Sequence, residues 1–185
     1  ALQTTWTNLY SVIYRSNILL DKSTKLKSTL VTQMQAEARY FRALAYFDLV
    51  RFWGDVPLVT TILSISDAKF TPRTSKEEVY KQIVDDLQQA ANALPETYAA
   101  VDKGRATKYA AKAVLGRVYL TMAGYPLKQA DKLALAKKEL GDIIAQEAKY
   151  FAFPASYKDL FTVAGKNKSN PFEVQYISGG TGLGN

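Results

Sequence analysis

The chain has 185 residues, 48% of them hydrophobic and 22% charged, enough for one globular core and unlike any disordered composition. It contains no His and no Cys, which removes Ser-His-Asp and Cys-His nucleophiles and every His or Cys metal site. No run of eighteen apolar residues is present to span a bilayer as a helix, and no charged-then-apolar leader opens at Ala1.

A first helix is expected over residues 4–20, where Trp6, Leu9 and Ile13 begin an apolar stripe. A second is expected over residues 29–53. Its residues Met34, Ala38, Phe41, Ala45, Leu49 and Phe52 step by three and four, a stripe facing a core. Tyr40, Leu44, Phe47 and Arg51 repeat that spacing beside it, so this helix is expected to pack on two sides. Glu37, Arg39, Arg42, Asp48 and Arg51 are read as paired charges tying the helix to its following loop. Asp48 with Arg51, and Arg51 with Asp55, have the spacing for such pairs. Gly54 supplies a positive φ to close the helix, Asp55 favours a turn and Pro57 cannot extend the ladder, so residues 57–59 should leave extended.

Residues 60–74 carry no helical period and read as a partly extended connection. Ser75 then caps a third helix, with Glu78 completing an S-x-x-E capping box. The stripe of that helix is Val79, Ile83, Leu87, Ala90, Ala91 and Leu94, and Pro95 ends it. The acids Glu77, Glu78, Asp85 and Asp86 read as a solvated helix face, and no isolated carboxylate pair suits hydrolysis. After a polar loop at 96–107, a fourth helix is expected over 108–123. Ala110, Ala113, Val114, Arg117, Val118 and Thr121 lie on one side of it, with small residues that let another helix approach closely. A fifth helix is expected over 129–147, burying Leu133, Ala136, Leu140, Ile143 and Ile144 and turning Lys132, Lys137 and Lys138 outward. Phe151, Phe153, Tyr157 and Phe161 then belong to an aromatic loop, residues 172–177 read as a short strand, and 179–185 have a Gly-rich loop composition.

Antiparallel helix pairs suggest tetratricopeptide units, with a period of about 34 residues. Leu115, Gly116 and Tyr119 fit the L-G-x-x-Y of a first helix, Ala136 and Leu140 positions of its second, and Ala90 and Pro95 the end of another second helix. The remaining consensus positions are unfilled, so the repeats are degenerate and interrupted by loops. The expected fold is all-α: tetratricopeptide-like antiparallel helix pairs forming an α-α superhelix, with irregular loops and a short strand near the C-terminus.

The run of Glu37, Ala38, Arg39, Tyr40, Phe41, Arg42 and Ala43, continued by Tyr46, Phe47, Asp48, Leu49 and Arg51 and closed by Gly54, Asp55, Val56, Pro57 and Leu58, resembles the helix-and-turn motif of the SusD/RagB family. Trp6, Leu9, Tyr10, Ile13 and Asn17 are similar to the helix that precedes it there. Proteins of that family are nutrient-binding lipoproteins of the Gram-negative outer membrane. The resemblance implies a single domain over residues 1–185, the helical N-terminal portion of a longer protein without its acylated Cys and C-terminal ligand-binding region. It implies a lipid-anchored, cell-surface protein that binds an oligosaccharide or other nutrient beside a SusC-like TonB-dependent transporter, with no catalysis and no cofactor.

Glycan capture asks for an aromatic ring against the C–H face of a sugar, beside amide or charged hydrogen-bonding groups. Trp6 with Asn8 is the candidate pair, and core packing is the competing role for Trp6, which heads the stripe of the first helix. Phe52 and Trp53 read as packing for the Gly54 turn. A tetratricopeptide-like scaffold holding a peptide in its groove is the alternative, but it demands regular repeats. The net charge of +7 raises nucleic-acid binding, yet the lysines are scattered from Lys22 to Lys168 and no recognised motif organises them.

Overall fold

Helix α1 covers Leu2–Lys22 and α2 covers Thr29–Trp53. This computed structural model describes residues 2–151, 154–162 and 170–174. Ser28 starts α2, its Oγ accepting a hydrogen bond from the Val31 amide at 3.2 Å, which satisfies one of the helix's orphan N–H groups. Gly54 ends it with φ 69° and donates its own N–H to the Val50 carbonyl at 3.0 Å. An L side chain rarely adopts that φ, so glycine is required here. Val56 then forms an antiparallel bridge with Thr74, which brings the chain to the start of the helix capped by Ser75.

The connection between them contains a helix that the hydrophobic pattern does not announce: α3, Ile65–Phe70, capped by Ser64, whose Oγ accepts from the Asp67 amide at 3.1 Å. Helix α4 follows at Lys76–Ala93, α5 at Lys108–Ala123, α6 at Lys132–Ile144 and α7 at Glu147–Tyr150. Short 3₁₀ turns occupy Ala100–Asp102 and Tyr157–Phe161. Helix α1 packs on α2, α2 on α4, α4 on α5 and α5 on α6. Short connections join α1 to α2 and α5 to α6 as antiparallel pairs, and longer loops join α2 to α4 and α4 to α5, the loop-interrupted tetratricopeptide-like array expected.

Apolar seams hold the array together. Leu49, Ile83, Leu87 and Leu115 are almost wholly buried, and burying each such side chain contributes roughly 1.5–3 kcal/mol, more than a surface ion pair can. The whole predicted α4 stripe, Val79 through Leu94, is buried. Gly116 sets the closest approach of α5 and α6, since a Cβ there would lie 2.7 Å from the Leu140 side chain.

Several expectations are corrected. The buried face of α2 runs through Ala36, Tyr40, Ala43, Phe47 and Val50 and through Ala38, Arg42, Ala45 and Leu49, while Met34, Phe41 and Phe52 remain exposed. Asp86 belongs to the core and not to a solvated face. Arg51 pairs with Asp48 as predicted, but Asp55 turns away after Gly54, its carboxylate accepting from the Lys76 amide at 2.9 Å at the start of α4. Helix α6 is shorter than predicted, and it buries Ala136 but leaves Leu133 and Ile144 exposed, because among the described helices it packs mainly on α5. Residues 172–174 do not form a strand, and Phe172 lies edge-on to Tyr40 and Phe41. The remainder of that expected strand, the Gly-rich end and Phe153 lie outside the described residues.

Candidate functional site

Trp6, Tyr10 and Tyr14 recur every fourth residue and so stand on one face of α1. Opposite them runs the segment from Pro57 to Thr71, including α3, and between the two lies a cleft of about 570 Å³. That volume lies within the range of small-molecule sites. Trp6 and Tyr10 are tilted together with centroids 4.9 Å apart, and Trp6 meets the Trp53 ring edge-on at 5.1 Å. Tyr14, at the other end of the row, is 53% exposed. Leu63, Ile65 and Ala68 supply an apolar opposite wall, and Thr61, Ser64 and Thr71 supply hydroxyls. None of the described residues lining the cleft is charged.

Beneath the cleft is a buried polar knot. The Arg42 guanidinium donates through Nε and Nη2 to the two carboxylate oxygens of Asp86 at 2.8 and 2.7 Å, a bidentate pair closed to solvent. Burial pushes the Asp86 carboxyl above the ordinary carboxylate range, and the Arg42 guanidinium opposes that push. The remaining Nη1 of Arg42 donates to Asn17 Oδ1 at 2.7 Å and to the Thr60 carbonyl at 3.3 Å. Asn17 Nδ2 in turn donates to the carbonyls of Val59 and Thr61 at 3.0 and 3.1 Å. Tyr46 donates its hydroxyl to the Val59 carbonyl and accepts from the Val59 amide. Burial raises that hydroxyl to about 12, so it keeps its proton at neutral pH. Tyr10 completes the set by donating to the Pro57 carbonyl at 2.8 Å.

A second, half-buried cluster fixes the loop before α5. Glu37 receives Nε and Nη2 of Arg105, each at 2.9 Å, and the Tyr98 hydroxyl at 2.8 Å. Two of the charges on α2, Glu37 and Arg42, thus reach other elements.

The structure places Trp6 in the cleft wall, where it also packs on Trp53 and Tyr10. Asn8 is exposed and does not line the cleft, because two residues along a helix turn a side chain to the far side. The amide in the cleft is that of Asn17, one turn beyond Ile13. Tyr14 was legible as the next residue in the Trp6–Tyr10 spacing, and Asp86 as a residue three beyond Ile83 on a buried stripe. Trp53 packs the turn as expected, whereas Phe52 is exposed, with the Arg51 guanidinium 5.9 Å from its ring centre.

A SusD-like family, described as starch-binding and associating with the outer membrane, matches residues 1–120. The chain is 32% identical over 173 residues to a SusD-like protein of Bacteroides ovatus, covering 89% of this chain and 30% of that protein. In structure it is similar to a SusD-like carbohydrate-binding protein of Bacteroides fragilis, with TM-score 0.83, 32% identity and coverage of 95% of this chain and 33% of that one. A solved structure with a xylogluco-oligosaccharide matches with TM-score 0.83 and 30% identity, over 95% of this chain and 36% of that one. The chain spans about a third of the length of these relatives.

Proposed function

The chain belongs to the SusD-like family, and from that membership we propose that it serves the capture of a neutral oligosaccharide at the α1 cleft. The uncharged aromatic lining carries this reading. Tyr14 and the cleft side of Trp6 offer ring faces to sugar C–H groups, Thr61 offers a hydroxyl, and Ser64 and Thr71, whose hydroxyls donate to Asp67, offer oxygens that accept from sugar hydroxyls. A uronate or sulfate would meet no cation among the described lining residues and would be partly desolvated there, with Arg73 acting on the lining only at the Tyr10 end. Asn8 faces away from the cleft and contributes only to a glycan that also crosses the outer side of α1. The function is binding without catalysis. The bound sugar is passed to a SusC-like TonB-dependent transporter, with the protein lipid-anchored at the surface of the outer membrane; the outer-membrane association of the family supports this arrangement.

Isothermal titration of the full-length protein tests the reading. Malto-, laminari- and xylogluco-oligosaccharides form the neutral panel and oligogalacturonides the acidic one. At least one neutral glycan is expected to bind, and Trp6→Ala and Tyr14→Ala are each expected to weaken it by about 1 kcal/mol, several-fold in affinity. Equal binding of the acidic panel, or full affinity in both variants, contradicts the proposal.

A further inference from the structure

We propose that Asp86, on α4, is a positioning residue for the cleft, acting through Arg42 and Asn17 to hold the wall at residues 57–61. The inference rests on the reading of the cleft as the ligand site. Asp86 does not line the cleft; it engages Nε and Nη2 of Arg42, which leaves Nη1 directed at Asn17 Oδ1 and at the Thr60 carbonyl. An amide side chain has two orientations, and a cation on its oxygen selects one. With Oδ1 occupied by Arg42, the Asn17 NH₂ group is turned toward the wall, where it meets the carbonyls of Val59 and Thr61. Beyond the Val56–Thr74 bridge this wall belongs to no helix or strand, so side chains set its place. Pro57, Val59, Thr61 and Asn17 all line the cleft, so a shift of the wall is a shift in cleft width.

A purely structural role makes a different prediction. Buried ion pairs are often replaceable by apolar side chains of similar volume without loss of stability. An apolar pair at positions 42 and 86 fills the same space but gives Asn17 and Thr60 no donor. The test is therefore Arg42→Met combined with Asp86→Leu in the full-length protein, with the neutral glycan from the panel that binds the wild type as probe. Three readouts are taken: thermal midpoint, affinity, and amide hydrogen exchange over residues 58–61. The expected result is a midpoint close to wild type, affinity lower by about tenfold, and exchange faster by about tenfold at 58–61 but unchanged in α4 and α5. Asn17→Asp is the second variant. It keeps a partner for Arg42 while removing both wall donors, and the same losses are expected of it. Wild-type affinity and wild-type exchange in both variants overturn the proposal. Exchange does not depend on ligand, which separates the two readings: accelerated exchange together with full glycan affinity in both Trp6→Ala and Tyr14→Ala refutes the cleft as ligand site but leaves Asp86 as the wall's anchor.

Discussion

The polar knot at Asn17, Arg42 and Asp86 and the aromatic rim at Trp6, Tyr14 and Ile65 lie on the two sides of one wall, and they are built on different principles. In the knot two opposite charges are enclosed, and each polar group shown there has a partner at 2.7–3.3 Å. A buried charge without a partner costs several kcal/mol, so such a centre tolerates little change. The rim carries half-exposed rings and aliphatic side chains, Tyr14 at 53% and Ile65 at 82% exposure, that no such network constrains. Several of the residues resembling the family motif, Tyr10, Asn17, Arg42, Tyr46 and Pro57, are in or beside the knot. The rim residues Tyr14, Leu63, Ile65 and Ala68 are outside that motif. Of the rim residues named here, Trp6 alone also belongs to the motif, so the rim follows the family pattern less closely than the knot does.

Removing one charge is the strongest way to break this contrast. Asp86→Ala leaves Arg42 buried without its carboxylate and is expected to destabilise the protein by about 3–5 kcal/mol in urea unfolding. A loss below about 1 kcal/mol would put the knot on the level of the surface and erase the distinction. Tyr46→Phe is intermediate. It removes a hydroxyl that serves both the amide and the carbonyl of Val59, with an expected cost of about 1–3 kcal/mol by the same measurement. Arg51→Ala sharpens the comparison from the other side, because the ion pair of Arg51 with Asp48 lies on the same helix but is more than a third exposed. Its expected effect is about 0–1 kcal/mol, and a loss approaching that of Asp86→Ala would show that exposure does not govern these pairs.

The helices were largely legible, and what the sequence hid was tertiary. Ser75, Pro95 and the stripe from Val79 to Leu94 define α4 because cap, breaker and period all agree there. Helix α3 is too short for a period, although Ser64 with Asp67 three residues later is a cap of the same kind. Asp86 looked solvated among neighbouring acids. Its place on the stripe hinted otherwise, but its partner Arg42 lies 44 residues away in sequence. The exposure of Leu133 and Ile144 could not be read from α6 itself, because it follows from how many neighbours the helix has. The cleft is hidden for the same reason. The Trp6–Tyr10–Tyr14 row is a local pattern, but the wall facing it arrives from residues 57–71 only once Gly54 has turned the chain and the knot has caught it.

The most direct measurement is a crystal structure of the full-length protein with a bound neutral oligosaccharide. The account predicts a sugar ring against Tyr14 or Trp6, its hydroxyls within hydrogen-bonding distance of Thr61, Ser64 or Thr71, above an intact Asn17–Arg42–Asp86 knot. A glycan bound elsewhere on the protein, with the cleft holding only water, would contradict it.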